Sequence, residues 1–206
     1  MPLPIFADRH WPRALTSRRS GRSPVRGLLL AAAGLALAGC APTEPSTEAT
    51  VEAAVEATPT EAVVVYLVRH SEREEDGTND PPISVAGELR ANQVAELLQD
   101  AGITHVHTTD FKRTRGTGEP SATDAGVTMA LYDPGDLAGF AQRLWDTPGR
   151  HLVLGHSNTT PDLVAALGGD PVSPIDEMEY DRLYIVTLHP GGASTVLLRF
   201  GTPYEG

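Results

Sequence analysis

Hydrophobic positions along the chain alternate between short β-branched runs and longer stretches of helical spacing. Val63 to Val68 is continuously apolar, fit for a strand buried on both faces of a sheet. Ser84 predicts the N-cap of a helix from Val85 to about Ala101, with Leu89, Val94, Leu97, Leu98 and Ala101 as its apolar stripe and Gly102 as its stop. Ile103 to Thr108 predicts a second strand, and Phe111 to about Ala125 a helix with Pro120 as an irregularity. Val127 to Tyr132 reads as a strand, Leu137 to Trp145 as a helix, and His151 to Leu154 as a buried strand ending at Gly155. Thr159-Thr160-Pro161-Asp162 opens a helix to Leu167, with Gly168 and Gly169 behind it. Arg182 to Leu188 and Ser194 to Phe200 flank a hairpin turn around Pro190-Gly191. Strands alternating with helices predict an α/β fold, a three-layer sandwich with a mainly parallel central sheet. No internal repeat is visible.

Ahead of this domain the pattern is different. Arg13, Arg18, Arg19, Arg22 and Arg26 precede an apolar run from Gly27 to Gly39 that ends in small residues, the build of an export signal. The run is shorter than the ~20 residues a membrane span needs. It closes on Leu37-Ala38-Gly39-Cys40, which resembles the bacterial lipobox. That resemblance implies cleavage before Cys40, lipidation of its thiol, and a protein anchored to a bacterial membrane and facing the periplasm or the cell exterior. Arg18-Arg19 lacks the apolar follow-on of a twin-arginine signal. The expected organisation is therefore a signal peptide over 1–39, a lipidated cysteine with a linker over 40–62, and one domain over 63–206.

Charge sharpens this division. Residues 1–40 carry +5, residues 41–62 carry −5, and residues 63–206 carry −11. The middle stretch holds only Ala, Thr, Glu, Pro, Val and Ser, too little apolar surface to offset the entropy of ordering, and reads as a tether. A short helix through Val51–Ala57 is an option within it. A domain at −11 lacks the basic surface that nucleic acid requires. The single cysteine excludes a disulfide framework and a cysteine-rich metal site.

Three polar clusters follow predicted strands: Arg69-His70-Ser71-Glu72, Thr108 to Arg115, and Gly155-His156-Ser157-Asn158. Ligands of open α/β sheets bind beyond the carboxyl ends of the strands. Each cluster alone is compatible with an ordinary polar loop. Together they concentrate arginines and histidines in an acidic domain, which suits a phosphoryl group, since guanidinium forks match its oxygens.

In these residues the chain resembles the histidine phosphatase superfamily, which has the phosphoglycerate-mutase-like fold. Arg69-His70-Ser71 matches that family's Arg-His-Gly/Ala/Ser signature, and Leu152-Val-Leu-Gly155-His156 its second histidine motif. Thr109-Asp-Phe111-Lys-Arg113-Thr-Arg-Gly-Thr117-Gly118 matches its second-arginine motif, with Thr for Ser, Phe for Leu, Thr for Ala and Gly for the final Ala. The resemblance implies a phosphomonoester or phosphohistidine hydrolase in which His70 is the nucleophile, forming a phosphohistidine that water hydrolyses. Arg69, Arg113 and His156 would bind the phosphoryl oxygens, with Asn158 beside them, and no metal or other cofactor is called for. The substrate would be a phosphorylated small molecule or a phosphoprotein. His156 is expected to be protonated, held so by neighbouring carboxylates.

The leaving-group acid is the weakest match. The resemblance places a carboxylate after the third strand, where the chain has Asp133 and Asp136 but no glutamate. Asp133 is the expected acid and Asp136 the alternative, although both also suit turn and cap positions. Arg73 and Arg115 are further candidates for the phosphate pocket. His105 and His107 share a strand face, which would suit a metal only with a third ligand. Trp145, Tyr180 and Tyr184 read as core or rim packing, and residues 72–80 as a solvated loop. The alternative to an enzyme is an envelope lipoprotein of the same fold that binds a phosphate ligand with little or no turnover.

Overall fold

The computed structural model describes residues 62–206. The export segment, Cys40 and nearly all of the acidic stretch, with its possible helix, lie outside the described residues.

Ten elements follow one another: β1 (Val63–Arg69), α1 (Val85–Leu98), β2 (His105–Thr108), α2 (Lys112–Ala125), β3 (Met129–Leu131), α3 (Leu137–Asp146), β4 (Gly149–Gly155), α4 (Thr159–Ala166), β5 (Arg182–His189) and β6 (Gly192–Arg199). They build a six-stranded sheet in the order β3-β2-β4-β1-β5-β6. The first four strands are parallel, and β5 and β6 extend the sheet antiparallel.

Alternation along β1 sends Val65 and Leu67 to one face and Val68 to the other. The first face meets Phe140 and Leu144 of α3 and Leu163 of α4. The second meets Val94 and Leu98 of α1 and Ala122 of α2. Both faces are therefore sealed, which is why the central strands are apolar throughout. Leu152 and Leu154 are wholly buried, and truncating either to alanine is expected to cost about 2–5 kcal/mol.

Helix α1 departs from the expected stripe. Ala91, Val94, Ala95 and Leu98 form its buried face, while Leu89 and Leu97 are 63% and 48% exposed. The buried residues of α2 are all small (Thr114, Thr117, Gly118, Ser121 and Ala122), with Gly118 set against Leu154 of β4. Helix α2 runs through Pro120 unbroken. Its N-cap, Phe111, makes no side-chain cap, and Asp80 from the 72–80 loop accepts from the Lys112 amide instead, at 2.9 Å. Helix α4 begins at Thr159, so Pro161 falls within the first turn, where its missing N–H costs nothing.

Candidate active site

Strand register brings the three polar clusters together. Arg69 pairs with Gly155 across β1 and β4, and Thr108 pairs with Leu154 across β2 and β4. Parallel strands in this register end side by side, so His70, Thr109 and His156 emerge one step beyond a common edge. The His70 amide continues the ladder by donating to the Gly155 carbonyl at 2.9 Å. Gly155 is required there because a Cβ would lie 2.7 Å from Thr160 Oγ1 and 3.1 Å from Thr159 Oγ1. Gly118, which replaces the family's alanine, likewise has Leu154 at 2.9 Å from where its Cβ would be.

The edge opens into a cavity of about 470 Å³ lined by Arg69, His70, Arg73, Arg113, His156 and Asn158, together with Phe111, Pro134, Gly135, Ser157, Thr159 and Glu177. Asn158 stands at the start of α4 without capping it, leaving its side chain available to a ligand beside the helix's positive end.

His70 is buried, and its Nδ1 lies 2.8 Å from the Ser71 carbonyl. A carbonyl only accepts, so Nδ1 carries the proton and the neutral ring keeps a bare lone pair at Nε2. Burial pushes the His70 pKa down to about 3, with Arg69, His156 and Arg113 adding to the fall against the Ser71 hydrogen bond. The His156 ring stands edge-on to it at 5.4 Å and is in turn within 3.0 Å of Thr109 Oγ1 through Nε2. Burial, then Arg113 and Arg69, lower the His156 pKa to about 4. This corrects the expectation of a carboxylate-held imidazolium: burial, reinforced by Arg113 and Arg69, favours the neutral His156 ring.

Arg69 is buried against Tyr180, whose ring lies 4.2 Å from the guanidinium carbon. Arg113 stacks on Phe111 at 4.3 Å and lies 3.8 Å from Asp80. The buried Nε of Arg69, and the Nε and Nη1 of Arg113, have no hydrogen-bond partner among the described residues. Unspent guanidinium donors beside a cavity are what an oxyanion ligand would satisfy. Tyr180, Phe111 and Thr109 thus belong to the site, although the sequence marked Tyr180 only as packing.

Several expected roles change. Asp133 does not line the cavity. It is exposed, and its carboxylate folds back to accept from the Gly135 amide at 2.8 Å, in an Asx turn. Asp136 caps α3 through the Gly139 amide at 2.9 Å and faces Arg143. The one carboxylate among the lining residues is Glu177, 78% exposed and 3.6 Å from Arg69 Nη2. Arg73 lines the cavity, whereas Arg115 pairs with Asp110 outside it. Glu72 is not part of a solvated loop, since it forms a bidentate pair with the buried Arg90.

His105 and His107 do meet a third histidine, His151, in a stack with ring separations of 4.5 Å and 5.3 Å to it. His151 Nε2 donates to the Thr147 carbonyl, so its Nδ1 accepts from His107 Nε2 at 3.0 Å. His105 Nδ1 bonds Thr104 Oγ1 at 2.8 Å instead. Among the described residues no group of three or more His, Cys, Asp or Glu is arranged to hold a metal ion.

A mainly parallel α/β sheet that gathers two histidines and two arginines at its carboxyl edge has the phosphoglycerate-mutase-like architecture. The chain belongs to the histidine phosphatase superfamily, branch 1, whose sequence model matches residues 65–134. It is 42% identical over 154 residues to the probable phosphoglycerate mutase GpmB of Cronobacter sakazakii, an alignment spanning 66% of this chain and 69% of that protein. Its match to the GpmB of Escherichia fergusonii is 42% over 76 residues, so there the chain spans about a third of the relative's length, 35%. In fold it is similar to the protein histidine phosphatase SixA complexed with tungstate, with a TM-score of 0.56 at 20% identity over 66% of this chain and 96% of the other. It is also similar to phosphoglycerate mutase from Bacillus anthracis, with a TM-score of 0.52 at 12% identity over 68% and 93%.

Proposed function

We propose that the domain hydrolyses phosphorylated substrates through a phosphohistidine formed on Nε2 of His70. The observation that carries this is a neutral imidazole with a bare Nε2 beside buried guanidinium donors of Arg69 and Arg113 that have no hydrogen-bond partner among the described residues. In the first half-reaction Nε2 attacks phosphorus, the P–N bond forms and the bond to the leaving group breaks. In the second, water attacks the phosphohistidine, releasing inorganic phosphate and restoring the lone pair. Arg69 and Arg113 stabilise the charge on the phosphoryl oxygens through both steps. Burial and the two arginines keep His156 neutral, and a bound dianion offsets the arginines' share, so the ring serves the phosphoryl oxygens as a hydrogen-bond donor. Arg73 and Asn158 extend the same anion site.

Leaving groups narrow the substrate. Both aspartates after β3 are engaged in local backbone geometry, so poor leaving groups such as sugar alkoxides lack a ready proton donor there. The reading therefore favours a phosphohistidine in a phosphoprotein, or another activated phosphoryl donor, over an alkyl phosphomonoester. The fold's likeness to a protein histidine phosphatase supports it. The arginines supply the neutralising charge, so the activity is metal-independent.

At the other end of the chain, Cys40 in its lipobox-like context holds the domain to the cell envelope through the acidic tether. Cys40→Ser should release the protein from the membrane fraction. The functional test is turnover of a phosphohistidine peptide, p-nitrophenyl phosphate and a sugar phosphate, in EDTA. The first two should be hydrolysed at least about 10²-fold faster than the third. Tungstate bound without turnover of any of them would instead indicate a phosphate-ligand-binding lipoprotein.

A further inference from the structure

Arg69 is gripped by one irregular segment, residues 176–180. Its Nη1 donates to the carbonyl oxygens of Asp176 at 2.7 Å and Glu179 at 3.0 Å, with the Tyr180 ring beneath the guanidinium. No helix or strand supports this segment. Its shape is set by the Glu179 side chain, which is 2% exposed and folds back so that its carboxylate accepts from the Asp176 amide at 3.2 Å. Arg182 of β5 clamps that carboxylate with bonds of 2.6 Å and 2.7 Å, and Arg199 of β6 adds a third at 2.7 Å. Arg199 also bonds the buried Asp181 at 2.7 Å.

We propose that Glu179 is a positioning residue for the reaction: its clamp to Arg182 and Arg199 fixes the two carbonyls that aim the Arg69 fork, and so sets the affinity of the site for a phosphoryl group. Glu179 touches no substrate and acts only through Arg69. A buried ion pair contributes little net stability, because desolvation offsets its Coulomb gain, so hairpin stability alone is a weak reason for one here. The backbone it shapes is the part of the chain that holds Arg69. The inference rests on the phosphoryl-binding role given to Arg69 above.

The test is a cycle of Glu179→Gln and Arg69→Gln in the full chain, read by tungstate affinity and by kcat/KM on p-nitrophenyl phosphate. Glu179→Gln keeps the length and one acceptor oxygen but loses the charge. Alone it should weaken tungstate binding about tenfold; in the Arg69→Gln background it should add less than about twofold, since the residue through which it acts is gone. A change in stability without loss of tungstate affinity, or two effects that multiply in full, would overturn the proposal. If Glu179→Gln does not fold, Arg199→Gln opens the same clamp from its exposed side; about threefold weaker binding that vanishes in the Arg69→Gln background is then expected, and unchanged binding overturns the proposal. If Arg69→Gln alone leaves affinity and turnover unchanged, the functional reading itself fails, an outcome distinct from failure of the Glu179 coupling.

Discussion

His70 gives its Nδ1 proton to the carbonyl of its own neighbour, Ser71, across 2.8 Å. That bond fixes the ring's orientation and its tautomer at once, and it leaves Nε2 as the only nitrogen with a lone pair to offer. The burial that accompanies it lowers the pKa to about 3, so Nε2 stays unprotonated far below the pH at which a solvated imidazole would be protonated.

A pH profile follows from this. With a pKa near 6.5, half the nucleophile would be lost at mildly acid pH; with a pKa of about 3 it is lost only in strong acid. Once corrected for the substrate's own ionisation, kcat/KM for p-nitrophenyl phosphate should hold from pH 7 to about pH 5, and its acid limb should lie below about pH 4. A limb centred near 6.5 would show that His70 is solvated and free to protonate.

Asp133 supplies the second prediction. Asparagine can accept from the Gly135 amide as aspartate does, so Asp133→Asn should preserve the turn and change kcat/KM less than about threefold, equally for aryl and alkyl phosphates. A loss of about 10²-fold or more confined to the alkyl phosphate would restore Asp133 as the leaving-group acid.

The histidine stack predicts how stability depends on pH. Burial, then His151, His105 and Arg143, lower the His107 pKa to about 3, while the unfolded chain returns it to roughly 6.5. The unfolded state therefore binds the extra proton between these values. The stabilisation is present in full above about 6.5 and is lost as pH falls toward about 3, with a slope of up to ~1.4 kcal/mol per pH unit for this group. Urea denaturation at pH 7, 6 and 5 should show the loss, and His107→Gln should flatten the slope by about one proton. An unchanged slope would mean that His107 titrates normally in the folded protein.

The parts of the site legible in the sequence are those placed by regular structure. Arg69-His70 and Gly155-His156 each follow an apolar run, and parallel strands that start together end together, so the carboxyl edge and its contents could be read from pattern alone. Arg113 was legible through its motif, since it stands in the first turn of a helix directly after β2. What lay hidden depends on contacts between distant parts of the chain. Tyr180, Glu177 and Glu179 reach Arg69 from an irregular segment more than a hundred residues later, which no periodicity announces. The direction of the Asp133 side chain is set by one local hydrogen bond that competes with the cavity, and either outcome fits the same four residues. His151 joins His105 and His107 only through the pairing of β2 with β4, where His105 lies directly opposite His151.

The most direct measurement is a trap of the phosphoenzyme. The full chain is mixed with labelled p-nitrophenyl phosphate, quenched in alkali to preserve a P–N bond, and mapped by mass spectrometry. The expected result is a single phosphoryl group on His70, with none on His70→Ala, a variant that should still fold and still bind tungstate through Arg69 and Arg113. A phosphoryl group on any other residue, or a His70→Ala variant that still turns over substrate, would contradict the assignment of His70 as the nucleophile.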